Sequence, residues 1–572
     1  MLIYQLNKRI SLAISIFLSY LIISVGGLLI GKYFFYLILI YFLYISEALF
    51  RDRLTSIKNS ILKNLTILDL IGVIIFSFSI SILLLEREWI EPGNMINIFR
   101  EGFFHDEIYH MSISSMIFNH LIPSTGLNST PYLNYHYLVH IISAGVMGIT
   151  NLNAYDIIPL INIFFVYPVF IFLINKIFHG IRVKENGIFL FSFFLFLPFT
   201  EIQKFQLMDF TYPFSLLILF SFIYSLQKNY RIKNYMIFIP ISYFAKLSSG
   251  LIISSWIVSY SILKYRIIPK KVIFTVIFII LSIISLKLVR DTTIENNEYL
   301  FSILSFIFYN KKHINPLLYL SVIYFPFTLF LIIYLFKNKL NININQNTFT
   351  FILLTGIWSF AAINIISPAG NNIYFVASPY ILSLPFVIST MIFLIKKNYF
   401  INIFFYSFIL ISIIIGSYNY IKEKNEIIGY FDTKNKSVRS DSGRSFEEEK
   451  IKEFSMYIDT LVKISKRDDL KDYLVEIPED QLSFWQYCKW VSDCRSQVSF
   501  LIPAIANKPA YNGYNDETMR NKKVFGFKRI DVYGYGNYYK QPDLSACEYR
   551  NVKGLITIKL EKKDIQLDLK KC

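Results

Sequence analysis

The first 421 residues contain no cysteine; all four cysteines, Cys488, Cys494, Cys547 and Cys572, lie beyond them. That absence excludes a thiolate metal site or thiol chemistry from most of the chain. Confinement to one soluble part instead points to an oxidising compartment and disulfides. Proximity favours Cys488 with Cys494, but spacing does not fix the connectivity. C-x5-C without a nearby His is a poor zinc signature. Charge is scarce as well, at 17% of residues. The net charge of +17 forms no basic block. Lys and Arg sit in short loops between apolar runs, which argues against nucleic acid as a partner. No internal repeat of the kind common in transporters is visible. No cleavable leader is evident, since the apolar run from Ile10 is long enough to remain as a span.

What the chain has in excess is hydrophobic length. It is 54% hydrophobic with mean hydropathy +0.46, and apolar runs of about 17–25 residues recur, the length that crosses a bilayer as helix. The sequence therefore predicts an α-helical polytopic membrane protein with about thirteen transmembrane helices, at 10–31, 34–50, 67–85, 157–178, 187–200, 213–226, 235–246, 250–264, 272–288, 316–336, 347–366, 373–395 and 401–421. Loop charges orient it. Lys8 and Arg9, then Arg51, Arg53, Lys58 and Lys63, place the N-terminus in the cytoplasm. The acidic segment 86–156 falls outside, and the thirteenth span exports the tail. The expected location is a bacterial inner membrane. Three parts follow: an N-terminal two-span hairpin with its loop, 1–66; a membrane module, 67–421; and an extracytoplasmic α/β domain, 422–572. In that last part 446–464 reads as an amphipathic helix, 472–477 and 554–560 as strands, and 499–514 as a helix or turn followed by a short strand.

The polar anomaly is the segment 101–140. It holds five of the seven histidines, His105, His110, His120, His136 and His140, and the acid pair Asp106 and Glu107. Ionisable groups at a membrane are costly and mark function. Residues 106–121 are expected to form a surface helix with an apolar face of Ile108, Met111, Ile113, Met116, Ile117 and Leu121. Residues 136–150 are expected to form a second surface or half-inserted helix. His136 and His140, four apart, would share one face of it. With His105 or His110 and an acid they make a possible divalent-metal set, although H-x3-H alone does not define one and no cofactor is specified. Binding of phosphate or acceptor by these histidines and by Tyr109 is the other reading.

The order of motifs resembles the polytopic GT-C glycosyltransferases, in particular the protein O-mannosyltransferase and lipid A aminoarabinose transferase type. The resembling stretches are HDEIYHMSI (105–113), NYHYLVHIISAGVMGITNLNAYDIIPLINIFF (134–165), IRVKENGIFLFSFFLFLP (181–198), FQLMDFTYPFSLLILF (205–220), ISYFAKLSSGLII (241–253) and AGNNIYFVASPYILSLP (369–385). His136 stands where a Pro is common, and Asn372-Ile373-Tyr374 lacks the usual basic residue before the Tyr. The resemblance implies transfer of a sugar from a polyprenyl-phosphate donor in the bilayer to an extracytoplasmic acceptor. It makes Asp106 the general base, with Glu107 as second choice. It makes Asp209 a second acid and Lys246 a point charge for phosphate. Tyr374 falls at the late donor motif. Each has a plainer reading: Asp106 and Asp209 as helix caps, Lys246 as a snorkelling interfacial lysine. A polysaccharide polymerase or O-antigen ligase, and a lipid-linked sugar flippase, are the competing functions. The early outer loop counts against the first, and the missing repeat counts against the second.

Overall fold

The structure is a computed structural model. It describes residues 12–34, 36–37, 67–86, 105–127, 137–180, 187–196, 210–227, 238–246, 249–250, 252–254, 257, nine positions between 378 and 392, 448–476, 478, 500–512, 547, 552–561 and 564–572. In some helical turns, among them residues 105–107, only the backbone is described. The helices are α1 (Leu12–Ile30), α2 (Ile67–Glu86), α3 (His105–His120), α4 (Leu138–Thr150), α5 (Ala154–Ile161), α6 (Tyr167–Gly180), α7 (Gly187–Phe196), α8 (Tyr212–Gln227), α9 (Phe238–Ala245) and α10 (Glu448–Ser465). A π-helical turn, Asn162–Val166, joins α5 to α6. Among the described residues one stretch, Asn162–Gly180, is long and apolar enough to cross a membrane. Ile14–Ile30, Ile67–Ser77, Leu138–Thr150 and Tyr212–Leu226 are shorter apolar helices. The expected spans 34–50, 272–288, 316–336, 347–366 and 401–421 lie largely or wholly outside the described residues.

Small residues let the helices close up. A Cβ on Gly145 would lie 2.4 Å from Ser24 Cα, and one on Gly148 would lie 2.1 Å from Gly27 O. The backbones of α1 and α4 therefore touch, as small-residue stripes permit where lipid supplies no hydrophobic drive between helices. In the same way α2 meets α7 at Gly72, whose added Cβ would fall 2.5 Å from Phe189 Cα. The buried Asp69 accepts a hydrogen bond from Ile188 N at 3.1 Å, so its carboxylate caps a neighbouring helix. Edge-to-face contacts among Phe170, Phe191 and Phe220, with centroids 5.0–6.2 Å apart, fill the space between α6, α7 and α8.

One expectation for the polar segment is corrected. Helix α3 matches the expected bounds, but it is no surface helix with one wet face. Residues Ile108 to Ile117 are all buried, enclosed by α4, α5 and the tail. Its serines make this possible. Ser112 and Ser114 donate to the carbonyls of Tyr109 and His110 at 2.7 and 3.0 Å, so their hydroxyls are satisfied without water. Leu121, assigned to the apolar face, instead ends the helix at φ 56° and is 64% exposed. Helix α4 begins at Leu138, and His136, expected to share a face with His140, lies outside the described residues.

The tail builds a three-stranded sheet in the order β1 (Tyr473–Glu476), β2 (Gly554–Glu561), β3 (Asp564–Lys571). β1 pairs parallel to β2, in register Tyr473 with Gly554, and β2 pairs antiparallel to β3. Both expected strands are present; β3 was not anticipated. Cys547 is bonded to Cys572. Cys488 and Cys494, the pair favoured by proximity, lie outside the described residues. A π-helical turn, Ile502–Ala506, and Ala510, which bridges Val475, complete the tail and press it onto α3.

Candidate functional site

The site is assembled by α3, α4 and the segment that opens α8. Tyr109 and His110 come from α3, His140 from α4, and Phe210, Thr211 and Tyr212 from the start of α8. His110 Nδ1 lies 2.8 Å from His140 Nε2. In this hydrogen bond one imidazole donates and the other accepts, as their tautomers dictate. Both rings are buried, at 3% and 0% exposure. Phe210 covers them, its centroid 5.4 Å from His110 and 5.5 Å from His140. The carbonyl of Phe210 accepts from Asn162 Nδ2 at 3.4 Å, and Asn162 opens the π-helical turn. Such turns recur at functional sites because they re-aim side chains.

Lys246 follows directly on α9 and is buried. Its Nζ donates to Thr211 Oγ1 at 3.1 Å and stands 5.3 Å from the centre of the Tyr212 ring. A hydroxyl and an aromatic face thus hold the ammonium beside Phe210. Tyr212 Oη is 2.5 Å from Ser378 Oγ, and Ser215 Oγ bonds Ser249 Oγ. The tail closes one side. Phe500 packs edge-on against Tyr109 at 5.5 Å, Ser115 Oγ donates to Asn507 Oδ1 at 2.8 Å, and Ala510 N donates to Gly126 O at 2.6 Å. Gly126 has φ +74°, and a Cβ there would meet Pro503 at 2.8 Å, so only glycine fits this seam.

Of the residues expected from sequence, Tyr109, His110, His140 and Lys246 share this site or its immediate border. Asp106 and Glu107 occupy the first turn of α3, with Asp106 four positions before His110; their side chains, and that of His105, are not described. Asp209, His136 and Tyr374 lie outside the described residues, although Asp209 precedes Phe210 and Tyr374 lies four positions before Ser378. Among the described residues no three His, Cys, Asp or Glu side chains gather as a metal would require. Sequence reasoning missed Phe210, Thr211 and Tyr212, which sit inside a motif already singled out. It also missed Phe500 and Asn507, which carry no local signal.

At the far end of α3, burial pushes His120 down to about 4, and the nearby charges of Lys508 and Lys471 act in the same direction; Asp472 opposes them. Burial also lowers Lys508. Compared with known proteins, the chain matches no family model, no curated protein and no solved structure.

Proposed function

We propose that the chain is a membrane glycosyltransferase that moves a sugar from a polyprenyl phosphate to an extracytoplasmic acceptor. One observation supports this reading above the others. Five separated stretches that carry the resemblance, 105–113, 134–165, 205–220, 241–253 and 369–385, meet through His110–His140, His110–Phe210, Lys246–Thr211 and Tyr212–Ser378. Polar side chains buried among apolar helices must find partners, and here those partners come from five separate stretches of the resemblance.

In this mechanism the Asp106 carboxylate takes the proton of the acceptor hydroxyl. That oxygen attacks the anomeric carbon of the sugar. The bond from this carbon to the phosphate oxygen breaks, and the electron pair leaves with the polyprenyl phosphate, inverting the centre. Lys246 offsets the charge that grows on the phosphate, and its anchoring by Thr211 and Tyr212 costs no reorganisation at that moment. The His110–His140 pair donates an N–H to the phosphate or the acceptor in a water-poor site, where such a bond is strong. Glu107 and Asp209 are the further acids of the site, and Tyr374 adds a hydroxyl on the donor side.

The test incubates purified protein with a panel of polyprenyl-phosphate sugars and measures release of polyprenyl phosphate. Release by the wild type and its loss in Asp106→Asn is the expected result. Full activity of Asp106→Asn removes the base assignment; no release with any donor, in the presence of candidate acceptors, removes the reading.

A further inference from the structure

The sheet of the tail ends at β3. Its order is β1-β2-β3, so β3 is an edge, and among the described residues no strand pairs with its outer side. Cys572 N donates to Lys553 O at 2.9 Å, one step beyond the Gly554–Lys571 pair. Antiparallel neighbours alternate between pairs that exchange backbone hydrogen bonds and pairs that do not. The even-numbered residues of β3 therefore turn their N–H and C=O groups towards β2, and Leu567, Leu569 and Lys571 turn theirs outward. Residues 566–571 are all exposed, Leu567 at 37% and Leu569 at 43%.

Such an edge is a template for another strand, and charged side chains ordinarily deter pairing. Here the charges suit one partner, a second β3. An antiparallel copy centred on Leu569 sets Leu569 against itself, Asp568 against Lys570 of the second copy, and Leu567 against Lys571 of the second copy. Directly opposite residues share a face of the sheet. Leu567 and Leu569 are paired with the buried Ile558 and Ile556, so the second copy continues an apolar row that otherwise runs out at the edge. The stem of Lys571 covers Leu567. On the other face Asp568, bound by Lys559 at 2.9 Å, gains a second ammonium. Centring the pair one residue away, on Asp568 or on Lys570, would set like charge against like.

We propose that β3 is a self-association edge, through which two copies of the chain join their three-stranded sheets about a two-fold axis at Leu569. Leu569 exchanges backbone hydrogen bonds with its counterpart, and Leu567 exchanges them with Lys571 of the second copy.

The experiment uses the full chain. In detergent, light scattering behind size-exclusion chromatography should give the protein mass of two chains for the wild type and of one for Leu569→Pro. Proline removes the outward N–H, and an edge strand accepts it at such a position. A second readout does not depend on that variant. Leu569→Cys is oxidised mildly in membranes, where the proposed pair holds its Cα atoms about 5.5 Å apart, within disulfide reach. Mass spectrometry of the linked peptides should find position 569 joined to itself. Leu567→Cys should not link, because it stands about 13 Å from its counterpart in this register. A one-chain mass for the wild type, an undiminished dimer in Leu569→Pro, or linkage through Leu567→Cys as good as through Leu569→Cys overturns the proposal.

Discussion

In the proposed chemistry of the central site, two imidazoles share one hydrogen bond and Phe210 packs against them. Replacing His140 with Phe keeps an aromatic ring against Phe210 and removes the nitrogens. The expected result is a folded protein that has lost about 10²-fold or more of its lipid-phosphate release. Retention of folding by size-exclusion chromatography with unchanged release would make the pair a packing feature only. His120 behaves differently, since its folded pKa lies below the ordinary value, at about 4 against 6.5. Between these pH values the unfolded chain binds more protons than the folded one, so stability rises with pH. The contribution should be complete above about pH 6.5 and lost as pH falls towards 4, on the order of 3 kcal/mol. His120→Gln should flatten the unfolding midpoint over that window. The histidines His110 and His140 stood out in sequence as polar groups among apolar runs, whereas Lys246 was singled out only by the resemblance. Phe500 was not, because one more aromatic in a chain with 55 phenylalanines carries no signal.

At the scale of single elements, α3 shows what periodicity reveals and what it hides. Its bounds were readable from the polar start at His105 and the break after His120. Its burial was not, because three serines and Asn119 read as a wet face, although most of their side chains bond back to the helix and Ser115 reaches the tail. The helix ends on Leu121 in the left-handed region, where a Cβ costs roughly 1–2 kcal/mol and glycine is the usual occupant. Leu121→Gly should therefore stabilise the protein by about 1 kcal/mol, less the greater freedom glycine gives the unfolded chain. A raised unfolding midpoint in detergent checks this; a lowered one means that the leucine side chain has a partner worth more than the strain. The strand β3 was missed for a related reason. Ile565, Leu567 and Leu569 alternate as a strand should, but with Asp564, Asp568, Lys570 and Lys571 among them the segment reads as a charged terminus. Pairing with β2 overrides that impression.

For the whole molecule, the decisive link is between the tail and α3. The bonds Ser115–Asn507 and Ala510–Gly126 place both on one side of any bilayer that the chain crosses. Sequence had put both outside by counting spans and loop charges, a chain of parity in which a single wrong span reverses the answer. The contact is independent of that count. Leu152, exposed in the turn between α4 and α5, offers a handle on the same segment. A Leu152→Cys protein should react with a membrane-impermeant maleimide in intact cells, and alkaline phosphatase fused after residue 572 should be active. Labelling only after lysis together with an inactive fusion would keep the two parts together and reverse the orientation, which would remove the extracytoplasmic acceptor. Opposite answers from the two probes would break the seam between α3 and the tail, and with it the closure of the site by Phe500. Agreement on the outer side would leave the His110–His140 pair facing the compartment in which a lipid-linked sugar must be met by its acceptor.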